Sequence, residues 1–553
     1  MIWLLRDFDL LSVVLRALWL ALESLTLGGL LFLLCVAMPA GANPDQLRRT
    51  RITTSRFAFG LVGAQAAVTG LSAVVLMGSA QLPFRFVARA DFFQFGCLQI
   101  LASLMLVWLV RMRSRASAFF SLFLAATILI AAVGQSHAAS RLTHREILLL
   151  LTAAHHTGVA GWVGAMLFLL LALRKAPTLA AAQALARQYS GLALVSVPVL
   201  VLAGIGMSLF YVGSWQGLYG TSYGVLLLAK ICLTCVMLLL GAANMQFLRF
   251  GFTRVQAMDG TVPRAPLPGR ADVFLIRLRR FSETELGLGF TAILAAASMT
   301  SQPPAIDLPH DQLTGHQIVQ RLRWEAPRLK SPALAQLTPP TSIATSVEES
   351  AYSGGSTSDA MDRAWSEYNH HWAGLILLAA GLLALSAGFS TPGRWRHFAS
   401  NWPLLFLGLS LFILLRADPE NWPLGPRPFW ESFVSPDVLE HRLYAVLVAC
   451  FAFFEWGVAT GRLLSRRAAY VFPALFALGG AALLTHSHGL SNVQDETLAD
   501  ISHTSIAVLG VLGGWARWLE LRLPDSRVAR VAGWIWPGCL ALVGLLLLDY
   551  RES

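Results

Sequence analysis

The chain has 553 residues, of which 56% are hydrophobic and only 13% charged. That balance excludes a soluble globular protein, which would need far more charge to cover its surface, and marks a polytopic membrane protein. The formal net charge of +11 does not indicate nucleic acid, because Lys and Arg lie in short loops between apolar stretches, where they act as topology signals.

In chain order, apolar stretches predict spans near 11–38, 57–79, 93–110, 117–136, 147–173, 190–212, 224–248 and 284–300. A second series follows near 370–389, 402–416, 439–460, 469–486, 500–520 and 528–548. Each approaches the roughly 20 residues a helical span requires, so the expectation is an all-α transmembrane helical bundle of about 14 spans. Continuous apolar runs exclude the alternating strands of a barrel. The first stretch is too long for a signal-peptide core, and Asp7 and Asp9 spoil a basic leader, so it reads as a span. Arginines cluster in alternate loops, beginning with Arg48, Arg49, Arg51 and Arg56, then Arg111, Arg113 and Arg115. The positive-inside rule makes those loops cytoplasmic, and an even span count puts both termini in the periplasm. The predicted division is an eight-span domain over 1–300, a periplasmic Pro/Ser/Thr-rich connector over 301–369 and a six-span domain over 370–553. Most of the connector reads as mobile chain, with a short helix around Gly315 to Trp324.

The fifth stretch, Ile147 to Leu173, carries His155 and His156 side by side, with Gly158, Gly161 and Gly164 around Trp162. Ionisable groups inside a span are expensive and usually functional, and small residues there allow helices to approach closely. Thr143 to Glu146 has the Ser/Thr-x-x-Glu form of a capping box, which predicts the helix start. Every histidine except His397 falls on the outer side or in the outer half of a span. Imidazole is a common ligand of copper, zinc, nickel and iron, and ends of several spans can bring several rings to one point. The expected metal set is His155 and His156 with His441, His486, His488 and His503, then the adjacent pair His370 and His371.

Cys232 and Cys235 lie three residues apart in the seventh stretch and would suit Cu(I) in passage inward, although packing explains two small apolar residues as well. Lys230, close by, needs a partner such as Glu23 in the first span, for which Arg16 would compete. Glu283 and Glu285 are expected at the start of the eighth span, where a helix dipole favours acids. The six cysteines fall mostly inside apolar segments and give no disulfide framework. P-loop, dinucleotide, hydrolase-elbow and haem-attachment motifs are lacking, so no catalytic residue is expected.

The stretches AHHTGVAGWVGAMLFLL at 154–170, YSGLALVSVPVLVLAGIGMSLF at 189–210 and YGVLLLAKICLTCVMLLLGAANMQFL at 223–248, with SMTSQPPA at 298–305, resemble the copper resistance D (CopD) family of bacterial inner-membrane proteins. The likeness covers about 140–305, and His155, His156 and Lys230 fall on its motif positions. It implies copper handling in the inner membrane, probable import being the usual view, with a periplasmic CopC-like copper-binding partner and no enzymatic activity. The expected cargo is a copper ion. Two alternatives remain open from the residues: a b-type haem membrane oxidoreductase with histidines as axial ligands, and an accessory that binds copper without moving it.

Overall fold

A backbone in lipid must satisfy its hydrogen bonds internally, and in this chain it does so as helices. The computed structural model describes residues 8–258, 268–332, 356–389, 393–418, 421–430, 436–465, 467–485, 493–524 and 526–551. No strand forms among the described residues. Eleven of their helical stretches are long and apolar enough to cross a membrane, and the protein is a multi-pass membrane protein. The other three expected spans also fall on helices: 284–300 on Pro268–Met299, 469–486 on the shorter Val471–Leu483, and 500–520 within Val493–Arg522. His486 and His488 lie outside the described residues.

The chain forms two compact units, Met1–Gln312 with Leu484–Ser487, and Leu313–Leu483 with His488–Ser553. The first contains α1 (Phe8–Leu31, continued by the π-helical Phe32–Ala37), α2 (Pro44–Ser79), α3 (Asp91–Leu109), α4 (Arg115–Gly134) and α5 (Arg145–Leu173). It continues with α6 (Leu179–Tyr211), α7 (Ser222–Met258) and α8 (Pro268–Met299). The apolar windows of α1 and α5 are each 67% buried, against 11% for α6, so α1 and α5 form the centre of the unit. Lipid gives little hydrophobic drive for helices to associate, so close packing must do it. A Cβ on Gly28 of α1 would lie 2.4 Å from the Gly164 carbonyl carbon of α5, and only two hydrogens let these backbones touch.

The start of α5 differs from expectation. The helix begins at Arg145 behind His144, whose left-handed φ of 55° carries no side-chain cap, so the Thr143–Glu146 box does not form. Part of the expected connector is also built into the fold. Ala305 is fully buried against Tyr211, Tyr223 and Leu148, and Arg141 holds Asp307 through two bonds of 2.8 and 2.7 Å. The Asp307 hydrogen bond raises the Arg141 guanidinium above its ordinary value. Thr300 closes the same end: Arg16 donates to its carbonyl at 3.0 Å and its hydroxyl at 2.9 Å, while His137 Nε2 donates to the carbonyl at 2.9 Å.

The second unit contains α9 (Ser356–Phe389), α10 (Leu405–Arg416), α11 (Pro436–Ala459), α12 (Val471–Leu483), α13 (Val493–Arg522) and α14 (Arg527–Leu548). Helices α9, α14, α13 and α12 pack in that order, each on the next. A short helix, Gly315–Arg321, forms where the sequence placed one, with a capping box between Thr314 and Gln317. Beyond it the chain clasps the segment after α14. Arg321 donates to the carbonyls of Asp549 and Arg551, and Arg551 donates to the Arg323 carbonyl and pairs with Glu325 at 3.0 Å.

Candidate metal site

The central crossing of α1 and α5 sets the first group of polar residues. With backbones in contact at Gly28 and Gly164, Glu23 and His156 face each other one to two turns away, and His156 Nδ1 donates to Glu23 Oε1 at 3.0 Å. Glu23 is 2% exposed, and its second oxygen, Oε2, has no hydrogen-bond partner. On the neighbouring side of α5, Gly158 and Gly161 admit α6, a Cβ on either falling within 2.7 Å of Leu200 or Ser196. His155 Nδ1 then donates to the Leu200 carbonyl at 3.2 Å, with Gly204 opening space beside the ring.

A carbonyl or carboxylate oxygen only accepts, so both imidazoles carry a proton on Nδ1, and the neutral ring then has its lone pair on Nε2. That is the arrangement of metal-binding histidines, whose second nitrogen is held by a carboxylate or backbone carbonyl. Lys230 of α7 is close enough for its charge to act on both rings. The sequence suggested Glu23 as its partner; instead Glu23 bonds His156, and Arg16 is occupied by Thr300.

In the second unit the helices bring together His370 of α9 and His503 of α13, with ring centroids 6.3 Å apart, and Tyr550, which stacks on His370 at 4.0 Å. His370 Nδ1 donates to the Ser366 carbonyl and His503 Nδ1 to the Ala499 carbonyl, at 2.8 and 2.9 Å, giving the same tautomer as in the first unit. His441 Nδ1 lies 2.9 Å from Asp418 Oδ1. His371 differs. Its Nδ1 accepts from the Arg328 backbone N–H at 2.7 Å and its Nε2 donates to the Tyr550 carbonyl at 2.8 Å, so both nitrogens are used in joining main chain to main chain.

His155 and His156 are thus neighbours within the first unit, and His370 and His503 within the second. Among the described residues no group of three or more His, Cys, Asp or Glu is placed to hold a metal ion. Cys232 and Cys235 are exposed, whereas Leu233 between them is fully buried. Glu283 and Glu285 lie in the middle of α8, because the helix starts at Pro268, which corrects the expected N-terminal position and its dipole argument. Glu283 pairs with Arg280 at 2.7 Å and Arg174 at 3.8 Å, while Glu285 turns inward. Glu23 is the residue whose role the sequence missed. Its acidity within a span was visible, but its partner depends on the Gly28–Gly164 contact.

Residues 183–299 match the profile of the family described as Copper resistance protein D. The chain is 29% identical over 179 residues to Copper transport protein CutJ of Bacillus subtilis (strain 168), covering 32% of this chain and 29% of that protein. It is 39% identical over 106 residues to Copper resistance protein D of Pseudomonas syringae pv. tomato, covering 18% of this chain and 34% of the relative. The chain thus spans about a third of the length of these curated relatives. No solved structure matches.

Proposed function

We propose, for a chain related to the copper resistance protein D family through residues 183–299, that it carries copper across the bacterial inner membrane, from periplasm to cytoplasm. The observation that supports this reading is the placement of His155 and His156: adjacent, inside a span, each with Nδ1–H held by an oxygen, so that Nε2 is the metal-binding nitrogen of the neutral ring. Imidazole nitrogen suits copper, and Glu23 orients His156 as a supporting carboxylate does in metal sites. Two imidazoles make a weak site, which suits cargo, because a transported ion must bind well enough to arrive and loosely enough to leave. A membrane potential negative inside favours the inward direction by about 2.3 kcal/mol per charge per 100 mV. Delivery by a periplasmic copper carrier of the CopC kind completes the reading.

Copper uptake into vesicles containing the purified protein tests it. Replacing His155 and His156 by alanine should abolish uptake, and Glu23→Gln should weaken copper binding by roughly 10- to 100-fold. Copper that binds the wild type without entering the vesicles would make the protein an accessory. A Soret band in the purified protein would favour haem.

A further inference from the structure

Glu285 of α8 is 3% exposed and lies within the same helical unit as the imidazole site. Asn244 Nδ2 of α7 donates to its Oε1 at 2.6 Å, and the Trp162 side chain of α5 lies beside the same carboxyl. Both neighbours are neutral. Asn244 is itself buried, and its Oδ1 has no hydrogen-bond partner. An unused acceptor thus stands beside a carboxyl that is held by neutral groups, in a place where every unsatisfied polar atom is costly.

The groups packed around Glu285 carry little else that titrates. From α6 comes Tyr189, buried, with its hydroxyl donating to the Trp162 carbonyl at 2.9 Å. The α5 segments facing α8, Ala160–Gly164 and Ala165–Leu173, contain no ionisable residue. Helix α1 offers Arg16 and Glu23, bonded to Thr300 and His156 respectively, and α7 offers Lys230, which acts on the imidazoles. On α8 itself Glu283 is taken by Arg280 and Arg174.

Trp162 belongs to the same helix as His155 and His156, and between them begins the π-helical turn Ala160–Gly164. Single π turns inside α-helices are frequent at functional sites, and this one sets the rotation of the indole relative to the imidazoles. Gly289 seats α8 against it, since a Cβ there would lie 2.8 Å from Val163.

We propose that Glu285, with Asn244 and Trp162, is a proton-exchange site coupled through α5 to metal at His155 and His156, so that copper arriving at the imidazoles expels a proton from Glu285. In the step, the carboxyl O–H bond breaks, the proton passes to water, and the carboxylate keeps the Asn244 donor. No electron moves. The metal half of the inference rests on the function proposed above, whereas the proton site rests on the geometry of α5, α7 and α8.

Infrared difference spectroscopy of the full chain in lipid nanodiscs tests this, with Cu(I) as the probe and copper retention measured on the same samples. The expected result is a protonated-carboxyl band that is lost when copper is added to the wild type, absent in Glu285→Gln and retained in Glu283→Gln. The amide introduced by Glu285→Gln can still accept from Asn244, so the variant should fold, as its thermal midpoint will report. The proposal is overturned if Glu285→Gln shows the wild-type band change, or if copper is retained and no carboxyl band responds. Failure of the wild type to retain copper would instead sink the functional reading, and the coupling with it.

Discussion

Gly28→Ala tests the contact on which the imidazole–carboxylate pair depends. The added Cβ would lie 2.4 Å from the Gly164 carbonyl carbon and 2.6 Å from both the Ala160 oxygen and the Ala165 nitrogen. All three are backbone atoms that cannot rotate aside. Ordinary carbon contacts begin near about 3.5 Å, so α1 and α5 must separate by about 1 Å. The His156–Glu23 bond, 3.0 Å in the wild type, would then open beyond hydrogen-bond length. Overpacking costs about 1–3 kcal/mol, and loss of a buried hydrogen bond to a charged group about 1.5–3 more. The higher helix propensity of alanine returns up to about 1 kcal/mol, leaving a net loss on the order of 1.5–6 kcal/mol. Gly63→Ala is the control, since a Cβ there meets nothing within 4 Å and should be neutral or slightly stabilising. Thermal unfolding of the purified variants and their copper retention provide the readout. If Gly28→Ala melts like Gly63→Ala and retains copper equally, the crossing does not set the site.

Three further outcomes follow from other parts of the structure. His371→Ala strands the Arg328 N–H and the Tyr550 carbonyl, so the thermal midpoint should fall by the equivalent of about 2–4 kcal/mol with copper binding at His155 and His156 unchanged. Serine at both Cys232 and Cys235 should leave copper uptake into vesicles at the wild-type rate, because both thiols are exposed; a marked fall would put them on the route. Burial raises the Asp549 carboxyl above its ordinary value despite Arg551 and Arg321, so the folded state disfavours its charge. Asp549→Asn should therefore unfold at a slightly higher temperature than the wild type at neutral pH, with the difference closing as pH falls below about 4, where aspartate is protonated in either state.

The helical class was legible, and eleven of the expected stretches fall on helices long and apolar enough to cross a membrane, because lipid demands long apolar runs and such runs leave a clear pattern. The caps were less so. Thr143 and Glu146 have the right spacing for a box, but His144 turns left-handed there, with its ring beside Phe210. The cost of placing His155, His156 and Glu23 inside a span could be read from the sequence, yet their partners could not. Which carboxylate meets which imidazole depends on the rotation of α1 about α5, and that is set by backbone contact at two glycines. Likewise His370 and His371 looked equivalent as neighbours in sequence. Their roles separate only because rings about 100° apart on a helix face different surroundings, one toward Tyr550 and His503, the other toward main-chain atoms.

The clasp around residues 549–551 is made largely of carbonyl oxygens received by Arg321 and His371. A carbonyl is the same in every amino acid. Evolution is therefore free to vary the side chain at 549, whereas the Arg551 guanidinium is tied to Arg323 and Glu325, and shortening or lengthening this stretch by one residue would move each oxygen out of register. Homologues of this unit should drift in composition at 549 and hold their spacing.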